Sequence, residues 1–524
     1  MRLFDAHAGY VCLLFFFLFR TVKLHFYTAV SDLEELIVTE ENVLNSLDLY
    51  LETEEERLQQ LKRKREQFGR VHELAKRNVE QFLWNPVNAY LLIKRLTTDL
   101  YETYQLVESS YTKDLFRKEA SQVMIYPEES DLIGAADALI RLQEFYSLNT
   151  LDMARGQIAG ATLSAELTVA DCFILGRRAY EIKKWQQALF WLQESLNILE
   201  NEGNASASHK IEILGHMANV HNSIKNYTAA AEVSEDILKL DPNHVQAKAN
   251  LKFYRTLEAS MEAPIDETWE DSIHDEQATK AMNAYSTLCR GEKIKTSNEK
   301  PQLHCYFASK NSGYFLLQPS KVEVLNFEPL LVMYHDVLRD GEAEILKALA
   351  YPKFAESPIP IRSSEKIQCS RISKSAFFQD SEHSVVKTIS RKLQDIIGTN
   401  SHPDLPLEVV NFGTGGHYEP HLDFEPMSEQ QVDSQMGYPL ATWMVYLSDV
   451  ISGGSTVFTE IGVEIKPKKG SALLWYNFHE NGTANEVTRH ADCPVLVGSK
   501  WVASKRLYAH GNEFIRKFST NQLE

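Results

Sequence analysis

The segment Gly415-Gly416-His417-Tyr418-Glu419-Pro420-His421-Leu422-Asp423-Phe424 sets an imidazole and a carboxylate two residues apart. In an extended strand such residues point to the same side, so His421 and Asp423 face one centre together. A neutral imidazole and a carboxylate, completed by one further His, form the ligand set of non-haem Fe(II) oxygenases. Three protein ligands leave three octahedral positions open, enough for a bidentate 2-oxo acid and O2. H-x-D by itself is a common pattern, and residues downstream sharpen it. His490 stands in Thr488-Arg489-His490-Ala491-Asp492-Cys493-Pro494, and Lys500 follows ten residues later in Gly498-Ser499-Lys500-Trp501-Val502. A distal His returns beside H-x-D when a barrel folds on itself. A Lys one strand further on supplies a point charge for the distal carboxylate of a keto-diacid.

Such residues need strands to position them. From about Val322 the chain changes to short alternating runs separated by Gly, Pro and Asp: Leu407 to Phe412, Ala441 to Leu447, Ser471 to Tyr476. These predict the strands of an all-β core, with Pro467-Lys468-Lys469-Gly470 as a turn before the last of them. Everything upstream reads differently. Residues from about Asp32 to Thr150 have helical patterning. Leu44, Leu47, Leu51, Leu58, Leu61 and Phe68 fall on alternating three- and four-residue steps, interrupted by Glu54 and Arg65. That is a heptad seam, fitting either one amphipathic helix packed on its own domain or a short coiled coil that dimerises the protein.

Thr168 to Tyr254 contains a degenerate helical repeat. Leu175, Gly176, Ala188 and Leu192 take the positions of a tetratricopeptide unit, and Ala218, Ala230 and Pro242 take equivalent places forty-two residues on. Paired helices of this kind make a concave groove for an extended peptide. Met261 to Lys300 is acidic and polar with little periodicity, which predicts a linker and loop region.

Composition bounds the function. The net charge of -18 argues against nucleic acid as the main partner, since phosphate binding needs clustered Lys and Arg. Val11 to Phe19 is an unbroken apolar run of nine residues after Arg2. It is too short to span a bilayer as a helix and suits the core of a cleaved secretory signal. Cys12 leaves with that signal, and no later run predicts a membrane span. Three sequons agree with a secretory route, at Asn204, Asn226 and Asn481. Of the remaining cysteines, Cys289 and Cys305 bracket a short polar segment and are the expected disulfide. Closing a loop of that size contributes roughly 3 kcal/mol in the chain-entropy model.

With these residues in place, the chain resembles the α-subunit family of collagen prolyl 4-hydroxylases. The resemblance is dense from Leu407 to Val502, in YEPHLDF, YLSDV, GGSTVF, PKKGSALLWYN and TRHADCPVLVGSKWV. It implies a multidomain α + β architecture: a signal peptide over 1–24, an N-terminal helical dimerisation region over 25–160, and a tetratricopeptide-like peptide-binding domain over 161–257. A linker over 258–325 leads to a dioxygenase domain over 326–524, with a double-stranded β-helix or jelly-roll fold. It implies His421, Asp423 and His490 as iron ligands and Lys500 as the residue for the 2-oxoglutarate C5 carboxylate. L-ascorbate is the implied reductant and protein disulfide isomerase the implied second subunit of an α2β2-type assembly in the endoplasmic reticulum lumen. The implied reaction is 4-hydroxylation of a peptidyl proline, with one atom of O2 entering the proline and the other entering succinate. A catalytically weak or non-collagen-directed paralogue, acting mainly in peptide binding and assembly, is the alternative.

Departures from the family pattern locate where this chain differs. Phe412 stands where the family usually has Tyr, and Arg506 and Tyr508 stand where it has an aromatic and a His flanking the substrate proline. Tyr418, Arg506 and Tyr508 are therefore the candidate substrate-pocket residues. The family's C-terminal bridge lacks its second cysteine, near Phe518, which leaves Cys493 without its usual partner and makes Cys369 a candidate. The helix Gly215 to Asn222 lacks the tyrosines of the family's peptide groove, with Tyr180, Trp185 and Tyr227 nearby.

Overall fold

The computed structural model describes residues 30–108, 129–161, 164–202, 206–261, 276–294, 304–309, 314–357, 371–398, 405–424, 437–479, 482–509 and 512. The signal-peptide segment, Asn204, Asn481, Cys369 and Phe518 lie outside the described residues. Two compact units divide the chain, one made of residues 1–74 and 98–124 and the other of residues 75–97 and 125–524. In the first, the heptad region lies in one 48-residue helix, Val30–Arg77. Arg57 donates to the Leu106 carbonyl and Lys64 pairs with Glu102, so charged residues tie this helix to the helix Leu100–Glu108. Leu51 and Leu58 of the seam remain 53% and 48% exposed.

In the second unit the repeat forms antiparallel helices Val169–Glu181 and Trp185–Asn201, then Ala207–Ser223 and Tyr227–Leu240, then Val245–Met261. The forty-two-residue period reappears in the backbone. Lys183 and Lys225 both turn the chain with positive φ, at 61° and 59°. Gly176 is small for a reason: a Cβ there would lie 2.7 Å from Leu192 Cγ across the hairpin. Ala188, Ala218 and Ala230 are buried at the other close approaches. Tyr180 and Trp185 meet edge to face at 5.4 Å against the hairpin core, and Tyr227 packs on Ala218 and Tyr254.

The C-terminal part is built from antiparallel strands. Their ranges are β1 Cys305–Ala308, β2 Ser320–Asn326, β3 Leu331–His335, β4 Ala355–Glu356, β5 Arg371–Ile372, β6 Lys374–Phe378, β7 Leu407–Phe412 and β8 His417–His421. Then follow β9 Pro439–Tyr446, β10 Ser452–Gly453, β11 Thr456–Phe458, β12 Val463–Ile465, β13 Ala472–Tyr476, β14 His490–Asp492, β15 Val495–Val497 and β16 Lys500–Tyr508. Among the described residues a nine-stranded sheet has the order β1-β2-β3-β13-β9-β16-β7-β6-β4, and a five-stranded sheet the order β12-β11-β14-β8-β5. The two-residue period of a strand sorts the side chains. Val410, Phe412, Met444, Tyr446, Leu473, Trp475 and Val502 of the large sheet share one core with Phe458 and Ile465 of the small sheet. The alternate residues, including Val409, Trp443, Val445, Leu474 and Ala503, pack with the helices Asp340–Ala350 and Ser384–Ile397. The expected turn before β13 is present: Gly470 has φ of 80°, and a Cβ there would meet the Leu338 carbonyl oxygen at 2.7 Å.

Two expectations are corrected. The region read as linker holds a helix, Glu276–Cys289, whose Tyr285, Leu288 and Cys289 are buried against Val457, Ala491 and Cys493. Its polar face hid a short apolar stripe. The disulfide is Cys289–Cys493, spanning 204 residues with Cα atoms 5.6 Å apart, and not Cys289–Cys305. Cys305 is exposed on β1 with a free thiol, and Cys172 is buried, where desolvation pushes its thiol well above the ordinary range. Sequence proximity favoured the short loop, whereas folding brings the end of the helix to Cys493, in the link between β14 and β15. A bridge closing so long a loop contributes about 5 kcal/mol in the chain-entropy model, and losses of about 2–5 kcal/mol are usual. Cys289→Ser is expected to lower the unfolding midpoint accordingly. Non-reducing peptide mapping is expected to recover a linked Cys289–Cys493 peptide with Cys305 alkylated in the native protein; a Cys289–Cys305 peptide would overturn the pairing.

Candidate metal centre and active site

His421 closes β8, Asp423 follows in the bend just beyond it, and His490 opens β14 directly opposite His421 in the ladder. One ligand atom from each of these three lies within 4.8 Å of the others. The strand pairing thus brings together residues far apart in sequence, while Asp423 reaches the centre from a bend and not from the strand itself. Each ring is held by its other nitrogen. His421 Nδ1 donates to the Glu419 carbonyl at 2.8 Å and His490 Nδ1 to the Thr488 carbonyl at 3.0 Å. Nε2 of each ring is then the lone-pair nitrogen available to a cation, an arrangement that fixes tautomer and orientation. His490 Nε2 is 3.8 Å from Asp423 Oδ2.

Electrostatics suit a cation-binding donor set. Burial, and then the neighbouring His490, depress the His421 pKa to about 3, so its imidazole is neutral. Burial alone would raise the Asp423 pKa, but His490, Arg506, His421 and the Thr442 hydroxyl bring it down to about 2. Thr442 Oγ1 donates to Asp423 Oδ2 at 2.6 Å, and Asn477 Nδ2 donates to Thr442 Oγ1 at 3.1 Å. Tyr418 stacks on the His421 ring with centroids 3.5 Å apart, and the Arg371 guanidinium lies 4.9 Å from the Tyr418 ring centre. Arg371 in turn bonds Glu408 at 2.9 Å.

These groups line a cavity of about 180 Å³ between the two sheets. Val410, Phe412, Met444, Trp475 and Val502 make its apolar wall, and Arg371, Glu408, Asp492, Arg506 and Tyr508 its polar rim and end. Arg506 is half-exposed, with one guanidinium nitrogen 3.7 Å from Asp423 Oδ1. The indole N–H of Trp475 is buried and finds no acceptor among the described residues. Lys500 opens β16 opposite Phe412 and is fully buried. Its Nζ donates to Asp492 Oδ1 at 2.6 Å and to Thr456 Oγ1 at 3.0 Å, and the Tyr446 hydroxyl bonds Thr456 at 3.1 Å. Burial lowers the Lys500 pKa against the pull of Asp492; burial opposes ionisation of Asp492, and Lys500 and its hydrogen bond outweigh it.

Every residue read from the sequence as a ligand or pocket residue therefore lines this cavity or backs it: His421, Asp423, His490, Lys500, Tyr418, Arg506 and Tyr508. Reasoning from sequence missed Arg371, Glu408, Thr442, Asn477, Thr456 and Asp492. Asp492 carried the one available signal, since it lies two residues from His490 on a strand and shares its side.

Comparison with known proteins agrees with this geometry. Family models match three regions: "Prolyl 4-Hydroxylase alpha-subunit, N-terminal region" at residues 29–160, "Prolyl 4-hydroxylase peptide-substrate-binding domain" at 169–260, and "2OG-Fe(II) oxygenase superfamily" at 407–508. The chain is 36% identical over 516 residues to prolyl 4-hydroxylase subunit alpha-1 of Bos taurus, covering 95% of this chain and 96% of the relative. The chain belongs to the prolyl 4-hydroxylase alpha-subunit family. The human alpha-1 subunit is 35% identical over the same coverage, and the alpha-2 subunit of Caenorhabditis elegans is 35% identical over 94% of this chain and 92% of its own. Membership brings a requirement for Fe(II) and 2-oxoglutarate, with ascorbate the usual reductant, and the donor set of His421, Asp423 and His490 fits such an ion.

Proposed function

We infer that this chain is a catalytic α subunit that hydroxylates C4 of peptidyl proline. The observation that carries the reading is the convergence of His421, Asp423 and His490 within 4.8 Å at the wall of a cavity between the two sheets, in a chain of this family. When bound, iron and 2-oxoglutarate supply the oxidation: one atom of O2 enters the proline, the other enters succinate, and CO2 leaves. The chain's own residues do the rest. Carbonyls of Glu419 and Thr488 hold the imidazole rings with Nε2 turned to the metal position, and Thr442 with Asn477 holds the Asp423 carboxylate. The stack of Tyr418 on His421 limits rotation of that ring. The apolar wall of Val410, Met444, Trp475 and Val502 excludes water from the reacting centre, and Lys500 at the opposite end attracts the distal carboxylate of the co-substrate. The test is succinate release and 4-hydroxyproline formation on a proline peptide, each dependent on 2-oxoglutarate. Succinate without hydroxyproline would indicate another acceptor.

The remaining organisation is part of the same reading. The signal peptide over 1–24, the end of the N-terminal helical region at 160, and the double-stranded β-helix description of the facing sheets follow the family. The repeat helices present the peptide groove. The exposed Leu51 and Leu58 are the seam through which two α subunits associate. A protein disulfide isomerase subunit completes the assembly in the endoplasmic reticulum. Among the described residues no helix is long and apolar enough to cross a membrane. Asn226 is exposed and caps its helix through Oδ1, at 3.1 Å from Ala229 N, so Nδ2 is the atom offered to a glycan.

Arg506 sets the peptide preference. A proline site usually works by aromatic packing. A half-exposed guanidinium at the cavity mouth favours an acidic residue beside the target proline instead. A charge-assisted hydrogen bond of about 1.5–3 kcal/mol predicts roughly a ten- to hundredfold higher kcat/KM for an Asp- or Glu-flanked proline peptide than for a plain collagen-like repeat. Arg506→Trp is expected to reverse that ratio. Because Arg506 also faces Asp423, the variant lowers turnover on both peptides, and the ratio is the quantity to compare. An unchanged ratio would place Arg506 outside peptide recognition.

A further inference from the structure

Lys500 is not a bare cation. Its ammonium, fully buried, already has a carboxylate oxygen of Asp492 at 2.6 Å and the Thr456 hydroxyl at 3.0 Å. The register supports this pairing: Thr456 of β11 lies directly opposite Asp492 of β14, and Thr456 Oγ1 also bonds Asp492 Oδ1 at 3.0 Å. The Phe412 and Tyr446 rings stand 5.7 Å and 5.8 Å from Nζ and close the apolar sides. Asp492 lines the cavity, whereas Lys500 does not. A guest entering from the metal side therefore meets a carboxylate before it meets the ammonium.

The consequence follows from charge. An ammonium facing a cavity alone attracts a distal carboxylate. An ammonium paired with an internal carboxylate is locally neutral, and a second carboxylate must either displace the first or sit beside it as a like charge. We propose that Asp492 is an internal competitor for Lys500, which takes the hydrogen bonds that the distal carboxylate of 2-oxoglutarate would accept and so sets the affinity of this enzyme for its co-substrate low. Asp492 is thus a specificity-determining residue: it weakens binding of 2-oxo acids with a distal carboxylate and leaves those without one unaffected. The inference rests on the reading of Lys500 as the co-substrate's cation.

The test is calorimetric and needs no turnover. The full chain, purified in its native assembly and loaded with Mn(II), is titrated with 2-oxoglutarate and, separately, with 2-oxobutanoate, which lacks the distal carboxylate. Asp492→Asn keeps the shape and an acceptor for Lys500 but removes the charge. It is expected to bind 2-oxoglutarate about ten- to a hundredfold more tightly, with 2-oxobutanoate unchanged. Asp492→Glu pushes the carboxylate further into the cavity and is expected to change 2-oxoglutarate affinity the other way. Lys500→Ala is expected to weaken 2-oxoglutarate alone. If Lys500→Ala weakens 2-oxoglutarate while Asp492→Asn binds it no more tightly than the native chain, Asp492 is a structural partner only and the competition is overturned. If Lys500→Ala leaves 2-oxoglutarate affinity unchanged, the assignment of Lys500 falls first and the proposal with it.

Discussion

His421→Ala and His490→Ala are each expected to abolish turnover, with succinate release falling by more than about a hundredfold. Loss of a residue that merely orients a ligand costs about ten- to a hundredfold in metal affinity or activity, so loss of a ligand itself exceeds that range. Two remaining donors hold a divalent ion poorly. The two substitutions also differ in a checkable way. His421 carries the Tyr418 ring at 3.5 Å, and Tyr418 carries Arg371 at 4.9 Å. His421→Ala therefore loosens one wall of the cavity as well as the ion, whereas His490 packs edge-on to Trp475 at 4.8 Å. Asp423→Ala is expected to act likewise, unless water or chloride replaces the carboxylate. Metal content after dialysis and succinate release are the two readings. Near-normal succinate from His421→Ala would remove the metal assignment.

How much of this was legible in the sequence depends on the range over which each feature is encoded. H-x-D is local, so His421 and Asp423 could be read directly, and the returning His490 and Lys500 stood in a stretch dense enough in family resemblance to be placed. The forty-two-residue repeat was readable because Ala188, Ala218 and Ala230 sit where helices approach closely, and only small side chains fit there. Alternating apolar runs marked β7, β9 and β13, since the large sheet has one face toward the small sheet and one toward helices. Strand order was not legible, because β16 pairs with both β7 and β9 across long sequence intervals. The disulfide failed for the same reason: Cys289 meets Cys493 only after the helix Glu276–Cys289 docks, with Tyr285 donating to the Asp492 carbonyl at 2.9 Å. Asp492 itself was visible in the sequence, but nothing local says that its carboxylate meets Lys500.

That pair governs what Lys500→Ala is expected to do. Judged by co-substrate binding alone, the variant loses the interaction of a buried cation with a carboxylate, about 2–5 kcal/mol, and needs correspondingly more 2-oxoglutarate. Iron affinity changes little, since Lys500 donates to Asp492 and Thr456 and not to a metal ligand. The structure adds a second effect. Removing the ammonium leaves the Asp492 carboxylate buried without its partner, and breaking a buried pair from one side destabilises by about 3–5 kcal/mol. Lys500→Ala is therefore expected to lower the unfolding midpoint even with no co-substrate present. Asp492→Ala in the same chain removes the stranded charge, so the double variant is expected to regain most of the lost stability. It is not expected to regain 2-oxoglutarate binding, because the cation is still absent. Stability and co-substrate affinity thus separate in one double-mutant cycle, the first read by thermal unfolding and the second by titration of the Mn(II)-loaded protein. A double variant no more stable than Lys500→Ala would mean that the ion pair is not what holds this end of the cavity together. Unchanged 2-oxoglutarate dependence in Lys500→Ala would mean that another cation receives the distal carboxylate, and Arg371 and Arg506, which line the same cavity, would be the residues to substitute next.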